Sequence, residues 1–503
     1  MSDKRGYPMD RRRFLQTALT SVAATSVFNR SVAAEGAYSV ADSANAAEPT
    51  GRLQGGLTRP LREFRLVAQQ GEAEVAPGKV YRNWMYNGQF PGPEIRVKEG
   101  ERLRIIVENQ LPEDTTVHWH GVPVPNAMDG VPGLTQKPIA PGESFVYEFE
   151  ATPAGSYIYH SHVGLQIDRG LIGPLVIEEA TPHVAYDRDY ILVLDDYLSG
   201  DPQPLGGSAG RGGMMGRMMG SDREGGRDGW WGGRRDDGGM MGMGRQMPPY
   251  QGLLIGGRLP DDPRVFETRR GERVRLRFMN PSGATTFRVA IGGHRMIVSH
   301  CDGRPVEPVT VDSLVLGTAE RYDVIVEAAN PGVWPIVIAA IEGNAPPGRA
   351  VLRYTDAAAT ALSEGVPEGL RGGYQLDYQD LQSLEALPVG QPDRVFDLML
   401  SGGMMGSAWT INGQAYPNAD PLMINEGEHI RFRMRNHSMM LHPMHLHGHF
   451  FRVGNVLKDT VLVAAHMGRA EFDFVADNPG RWFFHCHNIY HMEAGMTREV
   501  RYT

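Results

Sequence analysis

Three ten-residue segments of the chain follow one pattern: Gly100-Glu101-Arg102-Leu103-Arg104-Ile105-Ile106-Val107-Glu108-Asn109, Gly271-Glu272-Arg273-Val274-Arg275-Leu276-Arg277-Phe278-Met279-Asn280 and Gly427-Glu428-His429-Ile430-Arg431-Phe432-Arg433-Met434-Arg435-Asn436. Each is a turn glycine, an alternating strand and a closing asparagine. A motif that recurs at such wide spacing predicts three domains of one kind. With 503 residues the chain is too long for a single core, and units of ~150 residues fit it. Val/Ile/Thr/Tyr-rich runs at 103–107, 144–149 and 274–278 are separated by turn residues, and glycine (62) and proline (35) are plentiful. The fold class is therefore all-β, built from sandwiches or barrels.

Histidines are placed against that frame. Four His-x-His units, His118/His120, His160/His162, His445/His447 and His485/His487, hold eight of the seventeen histidines. Alternate residues of a strand share a face, so each unit presents both imidazoles on one side. His118 and His445 each lie nine residues past the closing Asn of their repeat, whereas the same offset in the middle copy reaches Val289, and two further on Ile291. Counting from Gly155 and Gly480 leads likewise to His160/His162 and His485/His487, but from Gly332 to Val337 and Ala339. This arithmetic predicts a polynuclear metal site between the outer domains, with the middle one as a spacer. Cys486 sits between His485 and His487 on the opposite strand face, so one strand can serve two sites. A thiolate, two imidazoles and a distant thioether make a blue-copper electron-transfer centre. Cys486, His491 and Met496 supply three of these groups, and the stretch 442–448 offers the missing histidine. The remaining histidines, His183, His294, His300, His429, His437, His449 and His466, are read as surface or satisfied core residues.

With these motifs the chain resembles a three-domain multicopper oxidase of the laccase and bacterial cuprous-oxidase type over about residues 50–503. The resemblance implies three consecutive cupredoxin-like Greek-key β-barrel domains and four copper ions. It puts His118 and His445 on the type 2 copper, and His120, His160, His162, His447, His485 and His487 on the type 3 pair. His442, Cys486 and His491 would bind the type 1 copper, with Met496 as its weak axial ligand. Electrons would pass singly from Cu(I), or from phenols and aromatic amines, to dioxygen, which becomes water. Asp129 stands where similar enzymes have an acid serving the cluster; a turn aspartate explains it nearly as well. Where many bacterial members have Glu after the last histidine ligand this chain has Met492, so Glu493 is the candidate second proton donor. Where cuprous oxidases have an acid before Met-Met-Leu-His, this chain has Ser438. Met440, with Met404 and Met405, is the candidate for the incoming copper, and packing explains these methionines equally well.

Residues 1–34, with Arg11-Arg12-Arg13-Phe14-Leu15 ahead of a short apolar run, read as a twin-arginine export signal and predict a periplasmic or otherwise exported protein. Removing them takes six basic and two acidic residues and moves the net charge from −9 to −13, which disfavours nucleic acid or an anionic membrane as partner. No run is apolar enough for a membrane span, and a monomer is expected. The two cysteines should form no disulfide, since a copper-ligating thiolate stays unpaired, and Cys301 is read as a small buried hydrophobe. The predicted domains are 50–180, 181–355 and 395–503, with a linker at 356–394. An insertion at 205–249 carries eight of the 25 methionines, including Met214-Met215, Met218-Met219 and Met240-Met241. Its thioethers suit Cu(I), which favours a cuprous oxidase active in copper tolerance. The alternatives are a laccase acting mainly on phenolics and a copper-sequestering protein with secondary oxidase activity; a nitrite reductase would lack the full trinuclear ligand set.

Overall fold

The computed structural model describes residues 60–204, 247–356, 361–362, 365–387, 390–403 and 408–503. The expected export signal, Met404, Met405 and the methionine-rich insertion apart from its last residues lie outside them.

Six sheets, in three pairs, carry the described strands. In each pair the repeated segment is an inner strand with a parallel neighbour on one side and an antiparallel neighbour on the other. Arg102–Asn109 lies between Leu61–Ala76 and Ser144–Glu150. Arg273–Met279 lies between Arg188–Tyr197 and Arg321–Glu327, and His429–Asn436 between Arg394–Ser401 and Arg469–Val475. Alternation then buries one face, Leu103, Ile105 and Val107 in the first copy and Ile430, Phe432 and Met434 in the third. Each pair closes around its own apolar core. Helix among the described residues is limited to the short α-helical turns Glu368–Arg371 and Ile489–Glu493 and the 3₁₀ turns Asn126–Met128 and Tyr378–Asp380, and no helix there is long and apolar enough to cross a membrane.

The closing asparagines do the same work three times. Each is buried. The Nδ2 of Asn109 donates to the carbonyls of Glu113 and Ile139, that of Asn280 to Thr285 and Leu316, and that of Asn436 to Met440 and Ala464. Each Oδ1 accepts the backbone N–H two residues on, at Leu111, Ser282 and Ser438. An amide satisfied on both sides can tie a loop to a sheet in a dry interior, which is why it recurs there. A second brace is duplicated in the later domains. His294 bonds Tyr354 Oη at 2.7 Å and His449 bonds Tyr502 Oη at 2.6 Å, while Trp334 and Trp482 donate to the carbonyls of Asn330 and Asn478. Both histidines are satisfied, His449 in the core and His294 half-buried at its edge.

Both cysteines are free and buried. Cys301 differs from its reading as a plain hydrophobe, because Lys458 Nζ donates to its sulfur at 3.1 Å and is itself paired with Asp302 and Glu320. The thiol fills a polar junction where the middle domain meets the third.

The second sheet of each outer pair carries the histidines. His118–His120 pairs with Gly155–His160, and His442–Leu446 with Arg481–Cys486. Their middle counterparts, Phe287–Ile291 and Val333–Ala340, pair in the same way and fill the equivalent positions with buried Val289, Ile291, Val337 and Ala339.

Candidate metal centre

Strand register brings the paired units together. His118 stands directly opposite His160, and His445 opposite His485. The two outer domains then meet face to face. The His118 ring stacks on His447 at 3.9 Å and His120 on His445 at 3.8 Å, while His160 and His487 approach Nε2 to Nε2 at 3.3 Å. His162 lies 5.3 Å from His485, ring to ring. All eight imidazoles are buried.

Their protons are fixed by what surrounds them. A carbonyl or carboxylate only accepts, so a nitrogen facing one carries the hydrogen and leaves its lone pair on the other side of the ring. Nδ1 of His118, His160, His445 and His485 donates to the carbonyls of Asp129, Ser161, Asp459 and Cys486. His447 Nδ1 meets Asp129 Oδ2 at 3.0 Å, and His120 instead uses Nε2, 3.1 Å from Asp459 Oδ1. The opposite nitrogens are left without partners although buried: His118 Nε2, His120 Nδ1 and His445 Nε2, and with them His162 Nε2 and His487 Nδ1. His447 Nε2 and His485 Nε2 face each other at 2.9 Å with both hydrogens committed elsewhere. Lone pairs so arranged repel one another unless a cation lies between them.

Burial, reinforced by neighbouring imidazoles, lowers the histidine pKa values, to about 3 for His160 and well below the usual value for His120, His162, His445, His447 and His487. Burial likewise brings His485 to about 4. These seven rings are neutral donors at pH 7. Several triads have ligand atoms within 4.8 Å of one another, among them His118/His445/His447, His118/His120/His160 and His162/His447/His485. The donor set fits a group of metal ions, and imidazole suits copper.

A second set lies on the other face of the same strand. His442 Nδ1 and His491 Nδ1 are 3.1 Å apart, and each is 3.5 Å from Cys486 Sγ. His491 is carried by the turn Ile489–Glu493, whose first residues are capped by the Asn488 side chain. Met496 is fully buried, and its carbonyl accepts the Cys486 N–H. Burial pushes the Cys486 thiol up, so a thiolate here requires a cation beside it. Two imidazoles and a thiol, with Met496 packed in the same core, fit a single copper.

Asp129 is fully buried and touches two clustered histidines, through its carbonyl to His118 and its carboxylate to His447. Gly130 makes this placement possible: at φ +83° it lies where a Cβ would come 1.9 Å from the Val117 carbonyl oxygen. Glu493 lies on the turn that carries His491, and although the residue has accessible surface, burial of its carboxyl raises the pKa. His491 points inward from the helical turn, and two residues on is roughly 200° around it. Met440 is buried beside the Cys486 set, and Met439 is half exposed. Ser438 bonds His442 Nε2 at 2.7 Å.

Four residues escaped the sequence reading. Trp409 stacks on His491 at 3.8 Å, Glu342 of the middle domain accepts the N–H of Leu441, Asp459 faces His120, and Arg321 grips Asp459. Asp459 had a weak signal as a charged residue inside an apolar strand pattern; the others had none.

Family profiles described as multicopper oxidase match residues 68–182, 232–357 and 391–503. The chain is 36% identical to multicopper oxidase MmcO of Mycobacterium tuberculosis, with 99% of this chain and 97% of that protein covered. Copper resistance protein A of Escherichia coli is 30% identical, across 82% of this chain and 88% of that one. The crystal structure of a multi-copper oxidase from Pseudomonas thermotolerans matches with a TM-score of 0.65 at 30% identity, covering 88% of this chain and 100% of the other. The chain belongs to the multicopper oxidases, enzymes that bind four coppers.

Proposed function

We propose that this oxidase is an exported enzyme whose preferred reductant is Cu(I), with a role in copper tolerance, and that it oxidises phenols and aromatic amines less selectively. The seat of Cys486 carries the reading: its thiol faces His442 and His491, while its chain neighbours His485 and His487 belong to the eight-histidine cluster. In this assignment His442, Cys486 and His491 hold the type 1 copper, with Met496 as axial ligand. His118 and His445 hold the type 2 copper, and His120, His160, His162, His447, His485 and His487 the type 3 pair. When bound, the four coppers supply one-electron storage at the type 1 site and four-electron delivery to dioxygen at the other three.

The residues do the rest. Cys486 provides a short covalent route through its own backbone to His485 and His487. Burial of the imidazoles keeps bulk water out of the cluster. Asp129 holds the proton of His447 Nδ1 and is the acid we assign to proton supply; Glu493 stays the candidate second donor.

For the incoming Cu(I) we assign Met440 and Glu342. Ser438 is uncharged, and its hydroxyl is bonded to His442 and Asn436, so it cannot replace the acid of similar enzymes. Glu342 meets the N–H of the peptide joining Met440 to Leu441 at 3.1 Å. Relatives named copper resistance protein A support the copper reading, as does the composition of 205–249. Domain limits of 50–180, 181–355 and 395–503, passage by the twin-arginine route to the periplasm, and a monomeric state complete the proposal.

Steady-state kinetics with Cu(I) against a phenol test it. Cu(I) should show the higher kcat/KM, and Glu342→Gln should lower it for Cu(I) but not for the phenol. A phenol preference would favour a laccase. Unchanged Cu(I) oxidation and growth in copper after deletion of 205–245 would remove the methionine argument.

A further inference from the structure

Glu179 lies between two imidazoles where the first domain passes into the middle one. Its Oε1 is 3.2 Å from His183 Nδ1 and 3.3 Å from His300 Nε2, and the two rings are 4.7 Å apart. Glu179 and His183 belong to the segment after strand Ile172–Glu178, and His300 to strand Met296–Cys301.

Ser299 Oγ lies 3.0 Å from His300 Nδ1 and 3.2 Å from the Asp323 carbonyl, and its hydroxyl can donate to either. A carboxylate only accepts, so His300 Nε2 and His183 Nδ1 turn toward one oxygen of Glu179 as hydrogen donors. Their distances to that oxygen, 3.3 and 3.2 Å, match neighbouring ligand atoms on a tetrahedral ion, which would take the place of the two hydrogens. Arg275 is engaged elsewhere. Its Nη1 is bonded to the other Glu179 oxygen at 3.1 Å and its Nη2 to Asp323 at 2.6 Å. Being 3.2 and 3.4 Å from the two ring nitrogens of His300, Nη2 lies across the ring rather than in line with Nε2.

We propose that Glu179, His183 and His300 form a binding site for a divalent transition ion of the Zn²⁺ or Cu²⁺ type, separate from the four-copper machinery. Two imidazoles and one carboxylate select such ions over Ca²⁺ or Mg²⁺, which take all-oxygen shells. His300 is buried and His183 exposed, so the site has a fixed inner wall and an outer side open to solvent. A bound ion would tie the inter-domain segment to the middle-domain sheet. His183 and His300 are then ligands, against their sequence reading as surface or satisfied core residues.

The test uses the copper-loaded enzyme, washed free of loosely held metal and dialysed against Zn²⁺. The wild type should take up one Zn²⁺ per chain beyond its coppers. His183→Ala, a change at a half-buried side chain at the protein's edge, and Glu179→Gln should weaken that uptake at least roughly tenfold, with the blue colour and copper content unchanged. No additional zinc in the wild type, or equal affinity in His183→Ala, would overturn the proposal.

Discussion

Asp459 presents Oδ1 to His120 Nε2 at 3.1 Å, and the same carboxylate is gripped at both oxygens by Arg321, at 2.8 and 2.6 Å. The three side chains come from the third, first and middle domains and are fully buried. A carboxylate gripped in this way only accepts, so His120 gives its Nε2 hydrogen to it, which leaves Nδ1 for a metal. The adjoining Asp302 accepts from the Arg321 N–H and pairs with Lys458. The middle domain is therefore more than the spacer its apolar replacements suggested, because it orients a histidine it does not contain.

Replacing Arg321 by Met leaves Asp459 as an uncompensated buried charge. Breaking a buried pair in this way costs about 3–5 kcal/mol. Urea unfolding should show a loss of that size, smaller in Arg321→Lys, which keeps the charge without the two-pronged grip. Copper content should fall in the Met variant even where the fold survives.

Cys486→Ser removes the only thiol beside His442 and His491. The intense blue colour should vanish, one copper per chain should be lost, and oxidation of any reductant should drop to background. Absorption and metal content measured on one sample check this, and a variant that stays blue contradicts the type 1 assignment.

Asp129→Asn keeps the shape of the loop and removes the acid. Dioxygen consumption should slow roughly 10²–10⁴-fold, while anaerobic bleaching of the blue centre by substrate stays unchanged. Stopped-flow absorption separates the two steps.

A pH effect follows from Asp168 and Asp196, which are buried where the three domains meet. Burial raises Asp168 to about 6, against the hydrogen bonds it accepts from Tyr490 and Tyr250. Burial and the charge of Asp168 raise Asp196 to about 7. Between about pH 4 and pH 7 the folded protein binds protons that the unfolded chain has released, so stability falls as pH rises through this window. Thermal melts should show Asp196→Asn gaining on the wild type at pH 8 relative to pH 5.

Much of this was legible in the chain because a strand has a period of two. His-x-His fixes two rings on one face, the three Gly-to-Asn repeats fix the sheets, and the offsets from Asn109 and Asn436 carry His118 and His445 to matching places. What could not be read depends on contacts between domains. Nothing local to Arg321 marks Asp459, 138 residues away, as its partner. Glu342 lies 99 residues from Leu441. Glu493 could not be placed for a local reason, since two residues past His491 on a helical turn is a different side of it.

The account rests on ten imidazoles and one thiol gathering into a one-copper site and a three-copper site. Copper counted per chain in loaded, chelator-washed protein tests it most directly. Four tightly held ions are predicted, falling to three in Cys486→Ser; fewer than four in the wild type would contradict it.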